Sequence, residues 1–284
     1  GKPMPLLLIA IAIGATIVGV VAAMDRRMQR RIDAEVEALF ADLPAGRPAA
    51  ISEAELETLP APVGRFLRLV VEPGRPAIRC TRLRQTGTMW LAPGASPKPF
   101  TAVQYFSAEP PAFIWHARLS LLPRVWVSAR DRYYRRSGNM LIKPLSTVTI
   151  GDESGPGLTT ASFIRFVAEA MWFPTAFARA SYLHWEAIDD RSARALVDDG
   201  GVTASLVFHF DDDGHLARVE SPDRMRESAD PGPTPWYGEV WDYRTFDGVR
   251  VPTRARVSWV LESGEFTYWE ARLTELEHDR PERY

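Results

Sequence analysis

The sequence predicts a mainly β protein, a curved antiparallel sheet or partly open barrel with a few helices, preceded by one N-terminal transmembrane helix. Three observations support this fold class: an uncharged apolar run near the N-terminus, segments that alternate apolar and polar residues, and Asp-Gly pairs between such segments. The composition, with 46% apolar and 25% charged residues, is that of a folded protein. It excludes a disordered or collagen-like chain.

The apolar run covers residues 6–24 (LLLIAIAIGATIVGVVAAM) and contains no charged residue. It is long enough to cross a hydrocarbon core of roughly 30 Å as a helix, and we assign residues 5–24 to this span. The alternative is a signal peptide cleaved after Ala23, because residues 21–23 (VAA) resemble a small-residue cleavage site. The run exceeds the usual length of a signal-peptide core, which favours a retained anchor.

Small residues recur at four-residue spacing within this run, which allows a second helix to approach closely. They predict a face for a membrane partner helix: Ala10, Gly14, Ala15, Gly19 and Ala23. The four arginines that follow the run are expected to contact lipid headgroups: Arg26, Arg27, Arg30 and Arg31. Positive-inside bias then places the rest of the chain on the cytoplasmic face of the membrane.

Residues 25–46 are predicted to form an amphipathic stalk helix that continues from the membrane span. Met28, Ile32, Val36 and Leu39 recur at helical spacing, and the helix is expected to end near Pro44. This apolar stripe must be covered by the protein's own domain, by a partner protein or by the membrane surface.

The remaining residues, 47–284, are predicted to form one extrinsic β-rich domain. Ser52 and Glu55 form a capping-box pattern for a short helix. Apolar residues alternate along 113–119, 205–210 and 249–259, and hairpin turns are expected at the Asp-Gly pairs 213–214 and 247–248, within about ten or eleven strands.

One further helix is predicted between Thr160 and Pro174, and it is apolar on most sides. Such a helix is normally buried, so we expect it to lie across the concave face of the sheet. If that face holds an apolar ligand, the candidate lining residues are Trp115, Phe163, Phe166, Met171, Trp172 and Trp259.

A search for reactive groups yields no catalytic, cofactor-binding or metal-ligating assignment. The single cysteine, Cys80, lies in a strand pattern and is expected to be a buried thiol. Residues 209–215 (HFDDDGH) read as a solvated turn, with a weak cation site as the alternative. A net charge of -2 argues against a nucleic-acid partner.

Several phrases together resemble a bacterial family catalogued only as a domain of unknown function. They lie at 59–68 (LPAPVGRFLR), 172–176 (WFPTA), 185–194 (WEAIDDRSAR), 208–214 (FHFDDDG) and 251–256 (VPTRAR). The resemblance covers roughly residues 58–276 and implies no catalytic residue. At the level of the fold, the expected curved sheet with a helix against it is similar to lipoprotein-carrier half-barrels, which hold acyl chains.

Two functions follow as hypotheses. The first is a non-enzymatic accessory or structural subunit that is anchored by one helix. Its β domain would dock on an integral membrane protein complex of respiratory, photosynthetic or transport type, with membrane lipids as further partners. The alternative is a protein that binds a lipid or another apolar ligand on the concave face of the sheet.

Overall fold

The computed structural model describes residues 4–222, 224–226 and 232–284. The helices in this part of the chain are α1 Met4–Ala41, α2 Glu53–Glu57, α3 Ala61–Val70, α4 Pro156–Ala168 and α5 Ala176–Arg179, and a 3₁₀ turn, Glu169–Trp172, follows α4. The strands are β1 Cys80–Met89, β2 Lys98–Ser107, β3 Ala112–Leu122, β4 Val125–Tyr134, β5 Ser137–Pro144, β6 Gly151–Ser154, β7 Leu183–Asp189, β8 Ser192–Asp199, β9 Val202–Phe210, β10 Leu216–Ser221, β11 Met225–Arg226, β12 Gly232–Pro233, β13 Trp236–Phe246, β14 Val249–Leu261 and β15 Gly264–His278.

Thirteen of the described strands form one open antiparallel sheet in the order β6-β5-β4-β3-β2-β1-β15-β14-β13-β10-β9-β8-β7. The predicted fold class is therefore confirmed, and the described residues form fifteen strands, thirteen of them in this sheet, where the sequence indicated about ten or eleven. Both predicted Asp-Gly hairpins are present. Asp247 and Gly248 have φ angles of 47° and 75°, the left-handed conformation that a tight two-residue hairpin requires.

The concave face of the sheet wraps around α4, which packs against β5 on one flank and β9 on the other. Phe163 and Phe166 of this helix are fully buried there. The two flanks also meet directly, because the Tyr133 hydroxyl donates a hydrogen bond to Asp199 at 2.7 Å. The helix begins at Pro156, four residues before the predicted cap at Thr160, because the fixed φ of proline suits the first turn of a helix.

The convex face of the sheet is covered over β2 to β5 by the second half of α1. Met28, Ile32, Val36 and Leu39 are buried against a small apolar cluster on the sheet: Tyr105, Ala112, Ile114 and Leu141. His116, a polar residue that alternates with the apolar residues of β3, is only 7% exposed. The stalk stripe is thus covered by the protein's own domain, and this part of the sheet is buried on both faces.

Ion pairs fix α1 along its contact with the sheet. The arginines that pair with α1 lie on β3, on β4 and just after β4, in the same order as their acidic partners on the helix. The second half of α1 therefore runs along these strands. Acidic residues of the helix pair with arginines of the sheet as follows: Asp25 with Arg118 (2.6 Å), Glu35 with Arg130 and Arg132 (3.1 Å each) and Asp42 with Arg135 (3.0 Å).

The first half of α1 projects away from the domain. Its side chains are described from Leu8 onward, and every residue from Leu8 to Val20 is exposed. Within the described residues, α1 is the helix with the length and apolar composition of a membrane span or a signal sequence.

Candidate functional site

An open apolar cavity of about 300 Å³ lies at one margin of the concave face, beside α5. Its walls come from four separate parts of the chain: the segment after α1, the residues just before β1, the β2–β3 turn, and α5 with its flanking residues. The lining residues are Pro44, Ala45, Gly46, Arg47, Pro48, Ala77, Ile78, Arg79, Ala108, Glu109, Thr175, Ala176, Arg179 and Ala180.

Small side chains create this space. Ala77, Ala108 and Ala176 are each at most 6% exposed, and Ala180 is half-buried at the end of α5. One wall is held in place because the backbone N–H of Ile78 donates to the Thr175 hydroxyl at 2.8 Å. The cavity wall is therefore continuous with the packed core of the concave face.

Charged residues surround the opening of the cavity, and two of the arginines donate hydrogen bonds to other parts of the protein. Arg179 donates to Glu55 at 2.9 Å and to the carbonyl oxygens of Ala49 and Ala50 at 2.8 Å each. Arg79 donates to the carbonyl oxygen of Gly46 at 3.1 Å. These bonds fasten the segment after α1 over the cavity.

The carboxylate of Glu55 accepts the hydrogen bonds that hold α2 against α5 beside the cavity. Hydrogen bonds from Arg179, and then from the backbone N–H and hydroxyl of Ser52, lower the pKa of Glu55 to about 2. The Ser52 bonds are the capping box at the start of α2 that the sequence predicts. Glu55 therefore stays ionised, and it joins α2 to α5.

The side chains that line the cavity are suited to burying an apolar group rather than to catalysing a reaction. Alanine, isoleucine and proline side chains offer van der Waals contact, and the guanidinium groups at the opening favour an anionic end group. Pockets of this kind, apolar with a few polar groups at the edge, are typical of ligand sites. The volume is about twice that of an engineered cavity of roughly 150 Å³ that binds benzene.

The six residues predicted to line an apolar-ligand site belong to the core cluster or pack against it, and none lies on the wall of this cavity. Trp115, Phe163, Phe166, Met171 and Trp172 are at most 5% exposed, and Trp259 is half-buried. Two of the indole N–H groups are satisfied internally: Trp172 donates to the carbonyl oxygen of Pro252 at 3.1 Å and Trp115 to Gln85 at 3.3 Å. These side chains fill the concave face of the described chain.

A charged cluster is buried within this aromatic core. Arg165 of α4 donates to Asp131 at 2.7 Å and to Glu169 at 2.9 Å, and Gln104 donates to Glu169 at 2.7 Å. Burial raises the pKa of Glu169 despite these bonds. The guanidinium carbon of Arg165 lies 4.9 Å from the centre of the Trp115 ring. The cluster fixes α4 to β2 and β4.

The predicted membrane residues lie on the exposed surface of α1. The small residues of the partner-helix face are all exposed: Ala10, Gly14, Ala15, Gly19 and Ala23. The four arginines beyond them are also exposed, and Arg31 lies 3.4 Å from Glu35: Arg26, Arg27, Arg30 and Arg31.

Two other predicted features are placed as follows. Cys80 is fully buried, and burial raises the pKa of its thiol to about 12, so it is not a nucleophile. Asp211, Asp213 and His215 bring one ligand atom each within 4.8 Å of one another in the β9–β10 turn. Both acidic residues there are exposed, as a solvated turn requires.

Residues 49–271 match the family described as Family of unknown function (DUF6544). This range is more than half of the chain. The chain belongs to the DUF6544 family. The resemblance drawn from the sequence phrases is thereby confirmed, and DUF6544 itself supplies no activity. A comparison with curated proteins found no match.

Solved structures similar to this DUF6544 protein are distant in sequence. A LolA superfamily protein from Nitrosomonas europaea is 11% identical with a TM-score of 0.42, over 80% of this chain and 94% of that one. A DUF1329 family protein from Desulfovibrio piger is 11% identical with a TM-score of 0.41, over 80% and 92%. A putative outer membrane lipoprotein-sorting protein domain from Vibrio parahaemolyticus is 10% identical with a TM-score of 0.35, over 70% and 85%.

Proposed function

We propose that this DUF6544 protein is a non-enzymatic membrane protein, anchored by α1, that binds a lipid or another apolar ligand at the concave side of its sheet. The observation that carries the proposal is the open cavity beside α5, which has apolar walls and arginines at its opening. The ligand class that fits is an acyl chain with an anionic end group. The acyl chain of the ligand would lie against Ile78 and Ala176, and its anionic end group would lie beside Arg47 and Arg79.

Hydrophobic burial supplies the affinity in this proposal. Each buried methylene group contributes about 0.8 kcal/mol, so a chain that buries six of them gains about 5 kcal/mol. Part of this gain offsets the translational and rotational freedom that the ligand loses. The cavity walls are already held by Thr175, Arg79 and Arg179, which keeps the ordering cost within the protein small.

The proposed location is the bacterial inner membrane, with the β domain on the cytoplasmic face. The exposed apolar residues of α1 need a non-aqueous environment, which a bilayer provides. The arginines that follow, Arg26 to Arg31, give the orientation by the positive-inside rule. The segment after α1 that lines the cavity begins about 25 Å along the helix from Met24, so the ligand site would lie at the end of α1 that is away from the span.

Native mass spectrometry of the full chain, extracted from membranes in mild detergent, tests ligand binding. Wild-type protein should carry a bound lipid or fatty acid. Ala180→Leu places a larger side chain at the cavity wall and should reduce the bound fraction to background. Ala187→Leu, on the exposed part of β7, is the matched control and should retain it. No adduct on wild type, or equal occupancy in all three proteins, contradicts the proposal.

A second candidate function is the accessory subunit that docks on an integral membrane protein complex. The observation that favours it is the free face of α1, where a Cβ added at Gly14 or Gly19 meets no atom within 4 Å. Close helix packing against a partner would use this face.

Co-purification of the full chain from native membranes tests the second candidate. A stoichiometric membrane partner should accompany the wild type and should be lost from Gly19→Leu, whereas Val18→Leu should retain it. A protein that purifies alone in every case excludes this function and leaves ligand binding unaffected.

A further inference from the structure

Five large apolar side chains are exposed at one end of the sheet. Three belong to the β3–β4 hairpin: Leu121 (36% exposed), Leu122 (65%) and Val125 (37%). Two lie in the β5–β6 connection: Val148 (64%) and Ile150 (66%). Turns normally carry polar residues, so this apolar rim needs a covering surface.

The two parts of the rim are joined to each other and to α1. The backbone N–H of Leu145 donates to the carbonyl oxygen of Trp126 at 2.9 Å, and the Trp126 indole donates to the Ser146 hydroxyl at 3.3 Å. The Ser146 hydroxyl in turn donates to Asp25 at 2.7 Å, and Arg118 donates to the same carboxylate. The rim is therefore fixed where α1 leaves the domain.

The rim extends along α1 toward its apolar half. Arg118, which contacts Asp25, pairs with Ser128, and the hairpin continues from there to Val125. Three residues of strand cover about 10 Å, which equals roughly six or seven residues of helix. Val21, Ala22 and Met24 of α1 are half-buried over this stretch, unlike the fully exposed residues before them. The hairpin tip therefore lies beside the last turns of the predicted membrane span.

Exposed arginines lie beside the rim on α1 and at the hairpin tip, whereas the exposed acidic residues Asp152 and Glu153 lie on β6. Arg26, Arg27 and Arg30 are exposed on α1, and Arg124 is exposed at the hairpin tip with a φ of 64°. Exposed aliphatic side chains next to exposed arginines are the composition of a surface that contacts anionic lipid.

We propose that Leu121, Leu122, Val125, Val148 and Ile150 form a membrane-contact surface that enters the interfacial layer of an anionic phospholipid bilayer beside α1. The protein then meets the membrane through its β domain as well as through its helix. The inference rests on the anchoring of α1 under the proposed function. This second contact fixes the orientation of the β domain relative to the bilayer, because a single membrane helix leaves the domain free to rotate about the helix axis.

Single-cysteine labelling of the full chain tests this surface. The native Cys80 does not interfere, because its thiol is fully buried and is not reactive. Leu122→Cys and Ile150→Cys are labelled with the environment-sensitive fluorophore NBD, and the proteins are placed in nanodiscs of phosphatidylcholine with a minor fraction of phosphatidylglycerol. Ile188→Cys, at an exposed apolar position on β7 (46% exposed), is the matched control. Val18→Cys reports on α1.

The expected result is a blue-shifted emission for the labels at positions 122 and 150. Their reduction by aqueous dithionite should be at least about fivefold slower than that of the label at 188, as for groups held at the acyl boundary. If the label at 18 is protected but those at 122 and 150 react as fast as that at 188, the rim does not contact the bilayer and the proposal is overturned. If the label at 18 is not protected, the anchor itself fails.

Discussion

At the scale of single residues, the most consequential interaction is the buried ion pair between the sheet and the helix that covers it. Arg130 is fully buried, and its guanidinium lies 3.1 Å from Glu35 of α1 and 2.9 Å from the carbonyl oxygen of Asn139. Burial lowers the pKa of Arg130 to about 10, so it remains charged near neutral pH. A buried charge of this kind depends on its partner.

Removal of that partner should be strongly destabilising. Glu35→Ala leaves the Arg130 charge buried without its carboxylate, so the free energy of unfolding should fall by about 3 kcal/mol or more. Glu37→Ala is the control: Glu37 is 65% exposed and pairs with Arg283 at 3.3 Å, so the change should be below about 1 kcal/mol. Denaturant unfolding of both variants in detergent measures the difference. Equal effects would show that α1 is not held by this pair.

Two buried histidines predict a loss of stability in acid. Burial lowers the pKa of His116 and of His278 to about 4, whereas an unfolded histidine titrates at about 6.5. The unfolded state therefore binds protons that the folded state does not. The stability is fully present above about pH 6.5 and is lost as the pH falls toward 4, by about 2 kcal/mol for each histidine at pH 5.

Unfolding measured at about pH 7 and about pH 5 checks this prediction. The wild type should be less stable at the lower pH, and the double variant His116→Gln/His278→Gln should lose most of that dependence. Carboxylates with lowered pKa, such as Glu55 at about 2, titrate below this window. A wild type that is equally stable at both values would contradict the assignment of these two side chains.

At the scale of elements, α4 is the helix that packs against both flanks of the sheet on its concave face. Gly138 of β5 sits against the start of this helix, where an added Cβ would lie 2.8 Å from the carbonyl oxygen of Leu158 and 2.9 Å from the Ser162 hydroxyl. The backbone of β5 and the helix therefore approach each other as closely as glycine allows.

Substitution at this contact should displace α4. Gly138→Ala should cost about 1 to 3 kcal/mol in the free energy of unfolding, the range for overpacked sites. Gly151→Ala, where the atom nearest to an added Cβ belongs to Ile142 and lies 3.5 Å away, in ordinary van der Waals contact, is the control and should be neutral or slightly stabilising. Thermal unfolding distinguishes the two. A neutral Gly138→Ala would mean that β5 does not position the helix.

The sequence was sufficient for elements defined by local pattern. The alternating segments and the Asp-Gly hairpins lie in strands and turns as predicted, because both signals come from residues next to one another. The capping box at Ser52 and Glu55 is present for the same reason. The start of α4 was misplaced, because Thr160 gives a cap signal inside a helix whose first turn depends on Pro156.

At the scale of the whole molecule, the helix that carries the predicted membrane span also packs against the β domain. The apolar stripe on α1 left three possible coverings, and only the tertiary fold reveals that the outer face of β2 to β5 provides it. The cavity beside α5 was not predicted for the same reason. Its walls join Ile78, Ala108 and Ala176 from separate parts of the chain, and alanines carry no distinctive sequence signal.

This architecture bears on whether the apolar run is retained. The candidate cleavage position, Ala23, lies two residues before Asp25, whose carboxylate is bound by Arg118 and Ser146. Both residues are within one continuous helix that covers the sheet. Cleavage after Ala23 would leave these contacts in place, so retention of the run as a membrane anchor is a proposal for cell fractionation to test.

The most direct test of the account is intact-mass measurement of the chain after fractionation of the producing cells, with an alkaline carbonate wash of the membranes. The account predicts that the protein stays in the washed membrane fraction with residues 6–24 still attached. A polypeptide that begins after Ala23 and is recovered in the soluble fraction would contradict it.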